Sequence, residues 1–318
     1  MKVKQIMDQD SNELISDNVF LLTRKDKKPF NNKPGDFMTM ELSDDSGRIK
    51  AIKWDGAEEV FDLVEVGDIV RVKGKTSEYN GEKQIIVDQI EAEKGNYNKE
   101  EFMPKVQNIN ELLEAFDSLI DILRKELDES KSAYLEIIDN FLGSSYYEDF
   151  KIWPAAIKFH HEKLGGLLMH TLNVARHVYF YSKKEPGVNQ GLAILGAIFH
   201  DIGKIEEYSF ETGAIKLTKK GMLFGHKVLG MEIVRELCEN TSISDEEKDL
   251  LLHIIASHHG KIEYGAITQP KIPEAVLVHH ADLMDAECYK VVDALQNIDE
   301  GEFGYSDKYK GYVYRAEN

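Results

Sequence analysis

The spacing of hydrophobic positions changes character near residue 92. Before it, apolar residues alternate in short runs, NVFLLTRK, GDFMTMEL, GRIKAIKW, GDIVRVKGK and EKQIIVDQI, with turn signals such as SDDSG and YNG between them. A period of two belongs to strands with one buried face, so these runs predict five strands within residues 18–92. Between the third and fourth runs lies DGAEEVFDLVEVGD, which reads as a short helix. Strands in that number, with a helix between the third and fourth, follow the order of an OB-fold barrel.

After the charged, turn-rich stretch EAEKGNYNKEEFMPK, apolar residues recur in threes and fours. INELLEAFDSLIDILRKEL puts Ile109, Leu112, Leu113, Phe116, Leu119, Ile120 and Leu123 on one helix face. Further helices are predicted over 131–142, 165–184, 190–202, 219–239, 244–258 and 273–296. Ser244 with Glu247 forms a capping box, and Pro273 suits a first helical position. The chain therefore reads as multi-domain: an N-terminal small β-barrel over 1–92, a linker and leading helices over 93–150, and an all-α domain over 151–318.

Composition sets the limits of function. At 318 residues and 42% hydrophobic content the chain can bury two ordinary cores. The opening MKVKQIMDQD lacks an apolar signal region, and LAILGAIF falls well short of the roughly 18 residues of a membrane span, so a cytoplasmic, membrane-free protein is expected. Two cysteines make neither a disulfide framework nor a thiolate metal site. A net charge of −18 excludes the broad basic surface that indiscriminate duplex binding needs, so any nucleic-acid contact must be local. The 11 histidines begin only at His160, which separates the chemistry of the two regions.

Several of these histidines interrupt apolar helical runs: His170 in GGLLMHTL, His200 with Asp201 in AIFHDIGK, His226 in LFGHKVLG, His258 and His259 in IASHHG, joined by Asp282 in HHADLMDA. Unpaired polar groups in such places are costly, so something must satisfy them jointly. Nitrogen and oxygen donors without cysteine suit Mn, Fe, Co or Zn. A carboxylate beside a histidine at a helix end can bridge two ions, and a pair of ions roughly 3.5–4 Å apart activates hydroxide for in-line phosphoryl displacement. Lys204, after Gly203, is placed to meet a phosphate, which makes His200, Asp201 and Lys204 the candidate catalytic group. His161, in IKFHHEKLGG, is a candidate to line the site, whereas His177, His253 and His279 read as outlying.

The order GGLLMHTL, HDIGK, GH, SHHG and HHADLMDA resembles the HD-domain metal-dependent phosphohydrolases. That resemblance implies one divalent ion on His170, His200, Asp201 and Asp282, with Asp201 bridging to a second ion on His226 and either His258 or His259. The OB-like region ahead of it extends the resemblance to the YhaM-type 3′ to 5′ exoribonucleases, which implies hydrolysis of single-stranded RNA or DNA with Mn preferred and Co, Fe, Mg or Zn as alternatives. In the barrel, Phe37, Trp54 and Tyr79 are candidate base-stacking platforms. Arg24, Lys50, Lys53, Arg71, Lys73 and Lys75 are candidate phosphate contacts. Two other readings compete: a nucleotide or cyclic-dinucleotide phosphodiesterase with a regulatory barrel, and a non-catalytic single-strand-binding protein. A homo-oligomer is compatible with all three.

Overall fold

A computed structural model describes residues 1–79, 81–127, 132–157, 163–211, 213–296 and 298–317. The chain divides into two compact units, Met1–Lys105 with Ser209–Lys216, and Val106–Tyr208 with Leu217–Asn318. The two loop histidines His160 and His161 lie outside the described residues.

In the first unit, the five alternating runs fold as β1 (Leu14–Pro29), β2 (Asp36–Asp44), β3 (Gly47–Lys53), β4 (Ile69–Tyr79) and β5 (Glu82–Ala92). They close into a barrel in the order β1-β2-β3-β5-β4, with β3 and β5 parallel and the other pairs antiparallel. Strand β1 serves both β2 and β4, and its register shifts between Ile15 and Asn18 and between Leu22 and Arg24 let it bend from one partner to the other. Alternation sends Met38, Met40 and Leu42 inward from β2 and Ile49 and Ala51 from β3, onto Phe20, Val70 and Ile85. A short helix α1 (Val3–Met7) is tied to the barrel by the Val3 amide, which donates to Asp44 Oδ2 at 2.8 Å. The predicted helix between strands three and four is α2 (Ala57–Phe61). Part of the charged stretch after β5 packs with the barrel too: Met103 is buried, and Ser43 Oγ donates to the Phe102 carbonyl at 2.9 Å.

The second unit is built on helices α3 (Ile109–Glu126), α4 (Ser132–Leu142), α5 (Ser145–Ile152), α6 (Gly166–Ser182), α7 (Gln190–Phe199), α8 (Lys204–Glu207), α9 (Lys219–Leu237), α10 (Asp245–Ser257) and α11 (Pro273–Leu295). Helix α7 is its axis. Every residue from Gly191 to Phe199 is buried, as an all-apolar helix requires, and Asn189 caps it by accepting from the Leu192 amide. The Ser244–Glu247 capping box and the N-terminal Pro273 are both present. Short strands β6 (Tyr208–Ser209) and β7 (Lys216–Leu217) pair, as do β8 (Phe303–Ser306) and β9 (Gly311–Tyr314), which sequence periodicity did not reveal. No helix among the described residues is long and apolar enough to cross a membrane.

Candidate metal centre

The centre forms where four helix segments of the second unit deliver imidazoles to one carboxylate. Asp201 follows directly on the end of α7 and is 2% exposed. Its Oδ2 lies 3.4 Å from both His170 Nε2 and His200 Nε2, and its Oδ1 lies 3.6 Å from both His226 Nε2 and His258 Nε2. Asp282, on α11, approaches His170 Nε2 at 3.2 Å, and the two Nε2 atoms of His170 and His200 are 3.1 Å apart.

Each imidazole is held by its other nitrogen. His200 Nδ1 donates to the Ala197 carbonyl and His258 Nδ1 to the Ile255 carbonyl, both at 2.8 Å. His170 Nδ1 donates to Asp285 Oδ2 at 2.7 Å, and Asn173 secures the other oxygen of Asp285 at 2.8 Å. His226 Nδ1 faces both oxygens of Glu207 at 3.1 Å. A carbonyl or carboxylate opposite Nδ1 fixes the proton there, so the Nε2 lone pairs point inward, the arrangement that metal-binding histidines use. The backbone assists at His226: α9 is interrupted at Gly225 (φ 70°, ψ 161°), and the chain restarts with the His226 amide donating to Glu207 Oε1 at 2.9 Å. A positive φ of this kind favours glycine.

Electrostatics agree with the geometry. Burial alone would raise the Asp201 carboxyl, but Lys204 Nζ at 2.5 Å and the neighbouring imidazoles hold it well below the usual carboxylate range. Asp282 is likewise held low against its burial, chiefly by His170. Burial pushes His258 well below an ordinary imidazole, which keeps it neutral. It pushes His170 down too, yet Asp201, Asp282 and Asp285 outweigh it and hold that ring well above its ordinary value.

Two atoms test whether the donors fit a metal. Asp201 Oδ1 and His258 Nε2 are fully buried and have no hydrogen-bond partner among the described residues. Leaving them so costs on the order of 1–3 kcal/mol each. A divalent ion would satisfy both, and the donors cluster into two groups accordingly, His170, His200 and Asp201 in one and His226, His258 and His259 in the other. The set of imidazoles and carboxylates without thiolate suits Mn, Fe, Co or Zn.

The remaining expected residues are spread between the two units. His259 stands beside His258, with Nδ1 2.9 Å from the Tyr264 carbonyl; burial lowers its pKa to about 4. Lys204 is buried and committed to Asp201. His279 sits behind the centre, donating to the His258 carbonyl at 2.7 Å, while His177 is exposed and His253 accepts from the Lys271 amide. In the barrel, Trp54 is 39% exposed and stands 5.0 Å from the half-buried Phe37, ring centre to ring centre. Phe30 completes the cluster at 5.3 Å from Phe37, with Lys33 Nζ 4.0 Å above its ring. Tyr79 is exposed at the end of β4. Lys73, Lys75 and Arg24 are exposed, and Lys50 makes an exposed pair with Glu82. Two of the expected phosphate contacts are otherwise engaged. Lys53 is 8% exposed and donates to the Asp88 carbonyl, because it shares the inward face of β3 with Ile49 and Ala51. Arg71 is clamped between Asp17 and Glu93.

Sequence reasoning missed Asp285, Asn173, Glu207, Lys227, Phe30 and Lys33. Asp285 carried a signal, three residues after Asp282 and hence on the same helix face.

A barrel with an exposed aromatic cluster and a helical unit with a histidine–aspartate centre define an HD-domain protein carrying an OB fold. Family models agree: an HD domain matches residues 167–287 and an OB-fold nucleic acid binding domain matches residues 22–92. The 3′-5′ exoribonuclease YhaM of Listeria welshimeri is 34% identical over 304 residues, 94% of each chain. Those of Bacillus subtilis and Oceanobacillus iheyensis are 29% and 30% identical, covering 89% of this chain and 89% and 88% of their own. The chain belongs to the YhaM 3′-5′ exoribonuclease family.

Proposed function

We propose that this chain removes nucleotides from the 3′ end of single-stranded RNA by hydrolysing phosphodiester bonds at a two-ion centre. The observation that carries the reading is Asp201, whose two oxygens each face a pair of inward-pointing imidazole nitrogens. His170, His200, Asp201 and Asp282 would hold one divalent ion, and Asp201 with His226 and His258 the other. Bound there, such ions supply Lewis acidity and lower the pKa of water. The chain's own residues do the rest. Asp285 and Glu207 orient two of the rings, Lys204 keeps Asp201 ionised, and the buried carbonyls behind His200 and His258 fix their tautomers.

The barrel's contribution is to hold the strand. Phe30, Phe37 and Trp54 offer ring faces for bases, and Lys33, Arg24, Lys73 and Lys75 offer charge to the backbone. Tyr79 and Lys50 extend that surface, the latter through an exposed pair that opens at little cost. A 5′-labelled RNA oligonucleotide incubated with Mn, Co, Fe, Mg or Zn tests the whole reading. Stepwise shortening from the 3′ end is expected, and His200→Ala and Asp201→Asn should each abolish it while leaving oligonucleotide binding nearly intact. Turnover of free nucleotides without shortening, or full activity in either variant, would overturn it.

A further inference from the structure

Just ahead of His226, three consecutive apolar side chains turn to water. Met222, Leu223 and Phe224 are each more than half exposed, at the end of the helical segment that runs from Lys219 to the kink at Gly225. Consecutive exposed apolar residues are unfavourable in water unless something covers them. The segment is firmly seated. Its Gly221 is buried so closely against Glu207 that a methyl group there would fall 2.3 Å from the Glu207 carbonyl oxygen. The Thr218 hydroxyl accepts from the Gly221 amide at 2.9 Å and donates to the Glu206 carbonyl at 2.7 Å. Glu207 also orients His226, so the apolar segment and this imidazole are fixed to one residue.

A second apolar segment reaches the same imidazoles from the turn after His259, where Ile262, Tyr264 and Ile267 are each at least half exposed. His259 Nδ1 donates to the Tyr264 carbonyl at 2.9 Å, and the Ile267 amide donates to the Ala256 carbonyl at 2.9 Å. The turn passes close over the ring, since a methyl group on Gly265 would stand 3.7 Å from His259 Nδ1 and 3.9 Å from Lys227 Nζ. The His226 and His259 rings are 5.3 Å apart, centre to centre, so both segments border this half of the centre. Charge here is nearly balanced, with Lys220 paired to Glu206 and Lys261 to Glu263. What the border offers is apolar surface with two rings, Phe224 and Tyr264.

We infer that Phe224 and Tyr264 form a base-stacking rim that receives the nucleobases of the RNA 3′ end as its phosphodiester enters the metal centre. The inference rests on the function proposed above. A base hangs from the sugar beside the reacting phosphate, so a phosphate held at the centre brings its bases to the border of the centre and not to its floor. Flat rings with exposed faces suit such an occupant, and stacking on them is tolerant of which base arrives. The rim differs in effect from the barrel cluster. It acts on the nucleotides being cleaved, whereas the barrel holds strand further from the cut.

The test is steady-state hydrolysis by the full-length protein with Mn, on the shortest RNA that the wild type cleaves, expected to be a dinucleotide. Phe224→Ala and Tyr264→Ala should each raise KM by about tenfold, leave kcat near the wild-type value and leave Mn binding unchanged. Phe224→Tyr and Tyr264→Phe, which keep a ring, should resemble wild type. Removing the 3′-terminal base from the substrate should raise KM for the wild type and cost the double alanine variant nothing further. Unchanged KM in the alanine variants, or an equal penalty for the missing base in wild type and double variant, would overturn the inference while the proposed function stood. Loss of self-association in those variants at unchanged KM would give the face to a second copy of the chain instead. Absence of hydrolysis of any RNA by the wild type would overturn the proposed function and the inference together.

Discussion

Asp285 shows how much of the centre depends on residues that never reach a metal. Its carboxylate is 9% exposed and takes the His170 Nδ1 hydrogen with one oxygen and the Asn173 amide with the other. Removing it frees the His170 ring to turn and strips two buried donors of their acceptor. Replacement by alanine should therefore weaken Mn binding by about 10–100-fold, and Asp285→Asn, which keeps an acceptor oxygen, should recover part of it. A Mn titration that leaves Asp285→Ala equal to wild type would show that the ring is held by packing alone. The residues that converge on the centre were legible in the sequence, because His170, His200, Asp201 and His258 break apolar runs and a polar break in a buried helix demands an explanation. Glu207 and Lys227 were not, and Asp285 was only through its spacing of three from Asp282. Each is a charged residue at a position where a charged residue ordinarily faces water, and only the packing of α6 against α11 and of α8 against α9 takes them out of it.

At the scale of elements, the position of His226 is set by how closely α8 can lie against α9. Gly203, just ahead of α8, has ordinary helical angles, so its conformation does not call for glycine. Its surroundings do. A methyl group built there would fall 1.9 Å from the His226 carbonyl oxygen and 2.4 Å from the Gly230 amide nitrogen, both backbone atoms that cannot swing aside. Gly203→Ala must push α9 away and carry His226 with it. The expected cost is about 2–3 kcal/mol in urea unfolding, together with weaker binding of the second Mn ion. Gly187→Ala, where a methyl meets nothing within 4 Å, is the matched control and should be close to neutral. Equal stability of the two variants would refute the packing argument. The sequence shows a glycine two residues after Asp201 without showing why; the constraint is an interhelical approach, which no local pattern encodes. Helix periods, the Ser244 capping box and the strand order were readable because each is a local rule, whereas the β8–β9 hairpin exposes Phe303, Tyr305, Tyr312 and Tyr314 and turns only Val313 of its large apolar side chains inward, which prints the reverse of a buried-face pattern.

For the whole molecule, the question is how a chain of net charge −18 holds a polyanion. Counting lysines and arginines on the barrel overstates its grip, since Lys53 and Arg71 are spent on Asp88, Asp17 and Glu93. The inward direction of Lys53 follows from the two-residue period of β3, so this much was open to sequence reasoning; the Arg71 clamp depends on strand pairing and was not. What remains is the ring cluster of Phe30, Phe37 and Trp54 with a handful of exposed cations, so under the function proposed above the strand would be held through stacking more than through charge. With Arg24, Lys33, Lys73 and Lys75 meeting about four phosphates, the slope of log affinity against log salt should be shallow, about −3 for a single strand. Phe37→Ala with Trp54→Ala should weaken binding of an RNA oligonucleotide by well over tenfold, at about 1–3 kcal/mol per stacked base, and leave that slope unchanged. Hydrolysis of a dinucleotide, which needs only the metal centre, should continue at the wild-type rate in the same double variant. A steep salt slope that collapses on removing the rings, or an affinity indifferent to them, would assign the binding of RNA to a surface other than this one.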